Sequence, residues 1–372
     1  MKKRLFALLA ITFLLLTGCT TTPITESTAS PEQKKVDFPS IIDSDYFITF
    51  EEGDYTYGFK DDGVYKIGKS NPVVQRLYTA DDVYSLYEYE GQLYFNTDNK
   101  IYKMDLDGGN VATVLDAKEH TEKQNDMVIE NFSLSQGYIV FSSALELFRY
   151  RLSDGNLMDL NEDAYIFELV GNNLYYIDHA ERTWTIFCYD LNTNKRTIIR
   201  GENVYKPSHD VIRDFLFIGE DLYYYKREPN QICKYDPGGN DTVICDYSHL
   251  FNPISLDGEY QGKLYYWVYT EFIVGKNVAS GGNKEYDEAN HRVAEQGIKQ
   301  YTLMQYDPET ERTLAVCQVY SLREPSAFFA NGHAFIETNR AISPTNEDVA
   351  WEWETRAIDL STGEWREVQP AQ

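Results

Sequence analysis

The side chains of this sequence best suited to hold a ligand fall into two short stretches. Lys276 and Asn277, followed by His291 and Arg292, stand in a polar run and offer charge and hydrogen bonds to an anionic group or a sugar, or else form solvated surface. Trp351 and Trp353 stand two positions apart, so on a strand they share a face. There they stack on a sugar or an aromatic group, or pack against neighbouring protein. Neither stretch is a catalytic constellation. The chain holds no GxSxG elbow, no HExxH helix and no Walker loop. Gly281-Gly282 after Ser280 lacks the lysine of a phosphate loop. Asp105-Leu106-Asp107-Gly108 touches a calcium-loop pattern but lacks its remaining ligands and distal Glu, and reads as a hairpin turn. Cys188, Cys233, Cys245 and Cys317 form no CxxC and no Cys/His cluster, so neither a zinc site nor any other metal or cofactor is expected. Cys233 and Cys245 flank a turn. They are either small buried strand residues or a cross-hairpin disulfide, which an extracytoplasmic address would permit.

Another cysteine carries a different chemistry. Lys2, Lys3 and Arg4 precede the mostly apolar stretch Leu5–Leu16, which is too short to span a bilayer comfortably. Leu16-Thr17-Gly18-Cys19 follows and resembles the bacterial lipobox, where small residues admit the peptidase and the thiol accepts lipid. The expectation is a signal peptide over residues 1–18, a lipidated Cys19 as membrane anchor on the extracytoplasmic face, and a Thr-, Ser- and Pro-rich tether over 19–44. Loss of Lys2, Lys3 and Arg4 with the signal takes the formal charge from −25 to −28. A chain of that charge repels nucleic-acid phosphates and has no polybasic membrane patch.

The elements that must position these residues are legible as a repeat over residues 45–372. "EGQLYFN", "GNNLYYID", "GEDLYYY" and "QGKLYYW" echo one another, with looser copies at "SQGYIVF" and "NGHAFIE". One full unit, 83–116, contains four short runs of aromatic and β-branched character. Turns separate them at Glu90-Gly91, Asp98-Asn99 and Asp107-Gly108-Gly109. Four antiparallel strands of this kind make one propeller blade. The order recurs at 129–160, 166–199, 211–246, 258–317 and 326–368, with a weaker first copy at 46–78. The expected fold is therefore all-β, a β-propeller of seven four-stranded blades, with six and eight as the alternative counts. Recurrent Asp-Leu and Asp-Pro pairs near the last turn of a unit are explained by an Asp side chain capping that turn.

"LYFNTDNKIYKMDLDGGNVATVL" resembles the YWTD repeat of low-density-lipoprotein-receptor propellers in its aromatic strand, its I-Y-K strand and its L-D-G turn. The whole chain is similar to bacterial lipoproteins that carry a receptor-related propeller domain of unknown function. Phe95-Asn96 and Tyr176-Ile177 stand where the YWTD family prefers Trp-Thr, and that family has six blades where seven units are counted here. The resemblance implies a propeller.

Strands a to d of a blade alternate in direction, so a–b and c–d turns share one face while b–c and d–a connections share the other. The first set reads short throughout. The second carries "AKEHTEKQND", "GENVYKPSHD", the run "TEFIVGKNVASGGNKEYDEANHRVAEQGIK" in blade 6 and "NRAISPTNEDVAWEW" in blade 7. "KEYDEANHRVAEQG" reads as a short helix there. Long connections on a rigid scaffold are where sites gather. The function expected is a lipid-anchored binding protein with a protein or glycan partner on that face. The alternative is a polysaccharide hydrolase or lyase with two carboxylates in the central funnel.

Overall fold

The computed structural model describes residues 47–60, 62–69, 73–120, 127–178, 185–201, 212–227, 229–248, 254–272, 299–321, 324–344 and 349–367. Blade 1 consists of β1 (Phe47–Glu52), β2 (Tyr55–Lys60), β3 (Gly63–Gly68) and β4 (Val74–Thr79). Blade 2 consists of β5 (Ser85–Tyr89), β6 (Gln92–Thr97), β7 (Lys100–Asp105) and β8 (Ala112–Asp116), followed by the single helical turn α1 (Ala117–His120). Blade 3 is built from β9 (Asn131–Ser135), β10 (Tyr138–Ser143), β11 (Glu146–Arg151) and the first part of β12 (Asn156–Val170). The rest of β12 opens blade 4 and is joined by β13 (Asn173–Asp178), β14 (Ile186–Asp190) and β15 (Lys195–Arg200). Blade 5 consists of β16 (Ile212–Ile218), β17 (Asp221–Lys226), β18 (Gln231–Lys234) and β19 (Thr242–Asp246). Blade 6 consists of β20 (Ile254–Tyr260), β21 (Lys263–Phe272), β22 (Lys299–Asp307) and β23 (Arg312–Ser321). Blade 7 consists of β24 (Ser326–Ala330), β25 (His333–Pro344), β26 (Val349–Asp359) and β27 (Trp365–Glu367).

Every blade pairs its strands antiparallel in sequence order, and the first strands touch in the cycle β1, β5, β9, β12, β16, β20, β24 and back to β1. The ring is closed and has seven blades, as the repeat count predicts.

The repeated phrase is a turn signature. In Glu90-Gly91, Gln136-Gly137, Gln261-Gly262 and Asn331-Gly332 both residues have positive φ, the geometry of a type I′ hairpin, where Gly at the second position carries no steric penalty. Blades 1, 4 and 5 instead put Gly53, Gly171 and Gly219 first, with φ near +60°, as a II′ turn requires. The Asp near the last turn also acts as expected. Asp190 accepts from Asn192 and Thr193 amides, Asp307 from Glu309 and Thr310, Asp359 from Ser361 and Thr362, and Asp236 from Gly238. These bonds hold the Asp359 carboxyl down at about 2, with the Ser361 hydroxyl the largest contributor.

One expectation needs correction. "NRAISPTNEDVAWEW" is mostly strand: β25 runs on to Pro344 and β26 begins at Val349, with Asn339 opposite Trp353 and Ala341 opposite Trp351. The aromatic and β-branched residues of "VAWEW" favour a paired strand over an open loop. No turn divides blades 3 and 4, because β12 passes from the outer edge of one to the inner edge of the other, bending at Asn161 with positive φ.

The core lies between blades. Six interfaces each hold one apolar cluster drawn from both neighbours. The cluster between blades 3 and 4 joins Val140 and Leu147 to Leu174 and Tyr176, and that between blades 5 and 6 joins Tyr223 and Ile232 to Leu264 and Tyr266. All four strand cysteines are buried thiols. Cys233 belongs to the cluster between blades 4 and 5 and Cys245 to that between blades 5 and 6, so they lie on opposite faces of one sheet and do not pair.

Candidate functional site

The first strand of each blade is an edge strand, and its inner N–H and C=O groups have no neighbouring strand to bond. Side chains from the preceding blade meet part of this need. Ser133 Oγ accepts from the Leu169 amide at 3.2 Å. The Glu168 carboxylate accepts from the Phe217 amide, and Asp257 Oδ1 accepts from the Ala327 amide at 3.2 Å. Tyr87 donates to Asn131 Oδ1 at 3.2 Å, and the same oxygen accepts from the Phe132 amide. Asp214 Oδ1 accepts from the amide of Phe215, its own neighbour, at 2.8 Å. The inner rim of blades 4, 5 and 6 therefore carries one carboxylate each, Glu168, Asp214 and Asp257.

These three acids are the electrostatic feature of the rim. Each keeps some accessible surface, yet the packed strands around it remove most of its water. Burial pushes the carboxyl of Glu168 up to about 7, with the Phe217 amide opposing it. Burial does the same to Asp214, aided by the charge of Glu324, and to Asp257, aided by Glu324 and Asp214. Tyr87 rises to about 12 through burial and then through the charge of Glu168. Asp257 Oδ2 and Trp267 Nε1 are both enclosed without a hydrogen-bond partner of good geometry, although the indole N–H still favours the charged carboxylate. Burial thus makes the three rim carboxyls weaker acids than ordinary carboxylates, while each still accepts a backbone amide. Among the described residues, no group of three His, Cys, Asp or Glu side chains is arranged to hold a metal ion.

The sequence reading misses these three acids, although each stands within a first strand, in "YIFELV", "IRDFLFI" and "ISLDGEY". An acid inside such a strand is the signal available. It stays hidden among 59 Asp and Glu residues because nothing in the residue order alone marks the first strand as the inner one.

The two faces of the ring differ as the loop lengths anticipate. Every a–b turn has two residues, and the c–d turns run up to the seven of 235–241. All three connections longer than that, 117–130, 201–211 and 273–298, belong to the opposite face. Lys276, Asn277, His291 and Arg292, with the helix read over 284–297, lie outside the described residues, as does Cys19. Trp351 and Trp353 are placed on β26, in the part of the β25–β26 ribbon that extends past both flanking strands on this same face: β24 pairs with β25 only to Glu337, and β27 pairs with β26 only from Arg356. The structure therefore brings the two tryptophans onto one strand and leaves their relation to the four polar residues undefined.

No protein-family model matches the chain, and no curated protein matches it. Many solved structures do. One is the crystal structure of the tricorn protease, 14% identical, with a TM-score of 0.39 over 84% of this chain and 30% of that one. Another is a Mycobacterium tuberculosis puromycin-hydrolyzing peptidase, 12% identical, with a TM-score of 0.49 over 87% and 52%. A third is a nidogen/laminin complex, 11% identical, with a TM-score of 0.41 over 72% and 93%. The chain thus spans 30% of the tricorn chain and about half of the peptidase, and at these identities each likeness is one of fold.

Proposed function

We propose that this protein is a binding propeller, held at the outer face of a cell membrane by lipid on Cys19, that takes a protein or glycan partner on the face bearing its long connections. The asymmetry between faces carries this reading: all three connections longer than seven residues, and the projecting part of the β25–β26 ribbon with Trp351 and Trp353, share one side of a rigid ring. Aromatic rings on a strand suit a sugar face or an aromatic side chain. The strongly negative chain argues for a neutral or basic partner over an anionic polymer.

The test is pull-down against a panel of glycans and envelope proteins with the intact chain, a chain lacking residues 275–297, and a Trp351→Ala/Trp353→Ala variant. Binding that survives both changes undiluted removes the assignment to this face. A Cys19→Ala variant moves from the membrane fraction to the soluble fraction if the anchor is correct.

The rim acids support a second reading, a polysaccharide hydrolase or lyase, because carboxyls poised near 7 suit general acid–base work. Each already accepts a backbone amide, a structural task that accounts for its place. Product formation from the same glycan panel, abolished by Asp257→Asn, would decide for the enzyme.

A further inference from the structure

We propose that one end of blade 6 is a saccharide subsite, in which the Tyr320 ring stacks on a neutral pyranose and the amides of Gln300 and Gln318 bond its hydroxyls. The inference deepens the binding function proposed above and rests on its glycan half. Strand register brings the groups together. Gln300 stands opposite Tyr320 and Thr302 opposite Gln318 in the β22–β23 pair, so all four residues share one face of the sheet. Gln300 Nε2 donates to Gln318 Oε1 at 3.2 Å and to the Tyr320 hydroxyl at 3.5 Å. Tyr320 is 56% exposed. Beside them Thr302 is 5% exposed and its hydroxyl has no hydrogen-bond partner, so the bonding capacity of this face is not used up. The four residues lie at the end of β23 that meets the face with the long connections, and the connection 273–298 returns to the sheet at Lys299, next to Gln300.

Among the described residues, no other blade presents this combination. The outer strand pair ends there with Lys100 opposite Asp116 in blade 2, Glu146 opposite Asp163 in blade 3 and Ile186 opposite Arg200 in blade 4. In blade 5 it ends with Gln231 opposite Asp246, and in blade 7 with Arg356 opposite Glu367. Each of these ends carries charge. Blade 1 ends with Gly63 opposite Thr79, and its nearby Tyr78 is packed on Phe95. In blade 6, by contrast, residues 300–306 and 313–321 are all uncharged, in a chain of formal charge −25. The other two exposed tyrosines are engaged by charged groups: Lys66 Nζ lies 3.8 Å from the centre of the Tyr55 ring, and Tyr84 donates to Asp98 at 2.8 Å. An exposed ring flanked by carboxamides matches a neutral sugar, which offers an apolar C–H face edged by hydroxyls that donate and accept. Glu271 of β21 stands across from Gln300 on its other side, a position from which a carboxylate accepts from hydroxyls and repels an anionic sugar.

Calorimetric titration of the full chain with cellohexaose, laminarihexaose, chitohexaose and mannohexaose tests this. At least one is expected to bind, and Tyr320→Ala to weaken that binding about ten-fold or more. Tyr320→Phe keeps the ring and is expected to hold affinity within about three-fold, while Gln300→Ala/Gln318→Ala lowers it about ten-fold through two lost hydrogen bonds. Leu314→Ala, which removes an equally exposed apolar side chain near the other end of β23, should leave binding unchanged. Binding that survives Tyr320→Ala overturns the subsite; its loss in Trp351→Ala/Trp353→Ala would still uphold the face with the long connections. Tyr320→Phe as damaging as Tyr320→Ala overturns the stacking role. Binding of none of the four oligosaccharides by the intact chain also overturns the proposal, and the reading of this face would then stand or fall on a protein partner in the pull-down.

Discussion

The interface between blades 3 and 4 and the seam between blades 7 and 1 both bury apolar side chains, but they differ in how much of the contact is polar. The first buries eleven residues, from Val140 and Leu147 on one side to Tyr176 and Leu191 on the other. At about 1.5–3 kcal/mol for each large side chain taken from water, such an interface dominates the gross stabilisation of its blades. The seam buries Thr56, Tyr65 and Ile67 of blade 1 and Ala330, Phe335 and Ala357 of blade 7, and adds polar contacts around Glu51, each worth about 1 kcal/mol net. The difference follows from chain order. Six interfaces join blades that are neighbours in sequence and form by short loop closure, while β1 and β24 meet only after the whole repeat array has been laid down. A repeat protein needs its units to recognise their successors; the last contact of the ring is the one that the repeat itself does not encode.

The sharpest way to break this contrast is to cut a sealed interface. Phe141→Ala, in the cluster between blades 2 and 3, removes a ring with no exposed surface that stacks on Phe148. It should destabilise the protein by about 3–5 kcal/mol in denaturant unfolding. A loss below about 1 kcal/mol would mean that these clusters do not carry the fold.

The next effect separates the rim acids from the core. Asp257 is raised in the folded ring, chiefly by burial, to about 7 from an ordinary value near 4. The fold therefore favours the protonated acid, and stability is greatest below that ordinary value and falls as pH rises through about 7. Glu168 and Asp214 act in the same direction. Thermal unfolding should show a higher midpoint at pH 5 than at pH 8. Asp257→Asn should recover about 1–2 kcal/mol at pH 8 with little change at pH 5. Equal midpoints at the two pH values would show these acids to be well solvated.

How far each of these features can be read from residue order depends on what it is made of. Blade number and strand order are legible because a turn with two positive-φ residues demands a glycine such as Gly91 or Gly262, and because an Asp such as Asp307 must stand where the last turn closes. Those requirements are local, so they leave marks at fixed spacing. The blade 7 ribbon passes for loop because Pro344 and the polar residues before it carry no strand pattern, and only pairing of Asn339 with Trp353 and of Ala341 with Trp351 makes a strand of them. The rim acids leave only a faint mark, an acid within a first strand, and the contact of Glu51 with Asn331 leaves none. What makes Glu51 special is its meeting with Asn331, 280 positions away, and no periodicity in the chain records that meeting.

Smaller still should be the effect of Glu51→Ala on global stability, about 1 kcal/mol or less, because the partly exposed carboxylate gives up contacts that water replaces in part. A loss as large as that of Phe141→Ala would make the Glu51 contacts as important as a fully buried ring and end the comparison.

The smallest effect expected is none. Cys188, Cys233, Cys245 and Cys317 are all buried thiols, and Cys245 sits 2.9 Å from the Tyr266 hydroxyl instead of facing Cys233. Burial also raises the Cys317 thiol to about 12, which keeps it protonated and unreactive in the folded ring. Unfolding in excess dithiothreitol should therefore match unfolding without it. A lowered midpoint would reveal a disulfide, and a covalent tie between blade strands would supply part of the cohesion assigned here to packing. Because three of these thiols lie inside interfaces packed from both sides, their silence toward a reductant and slow alkylation by a thiol reagent report on the same packing from two directions.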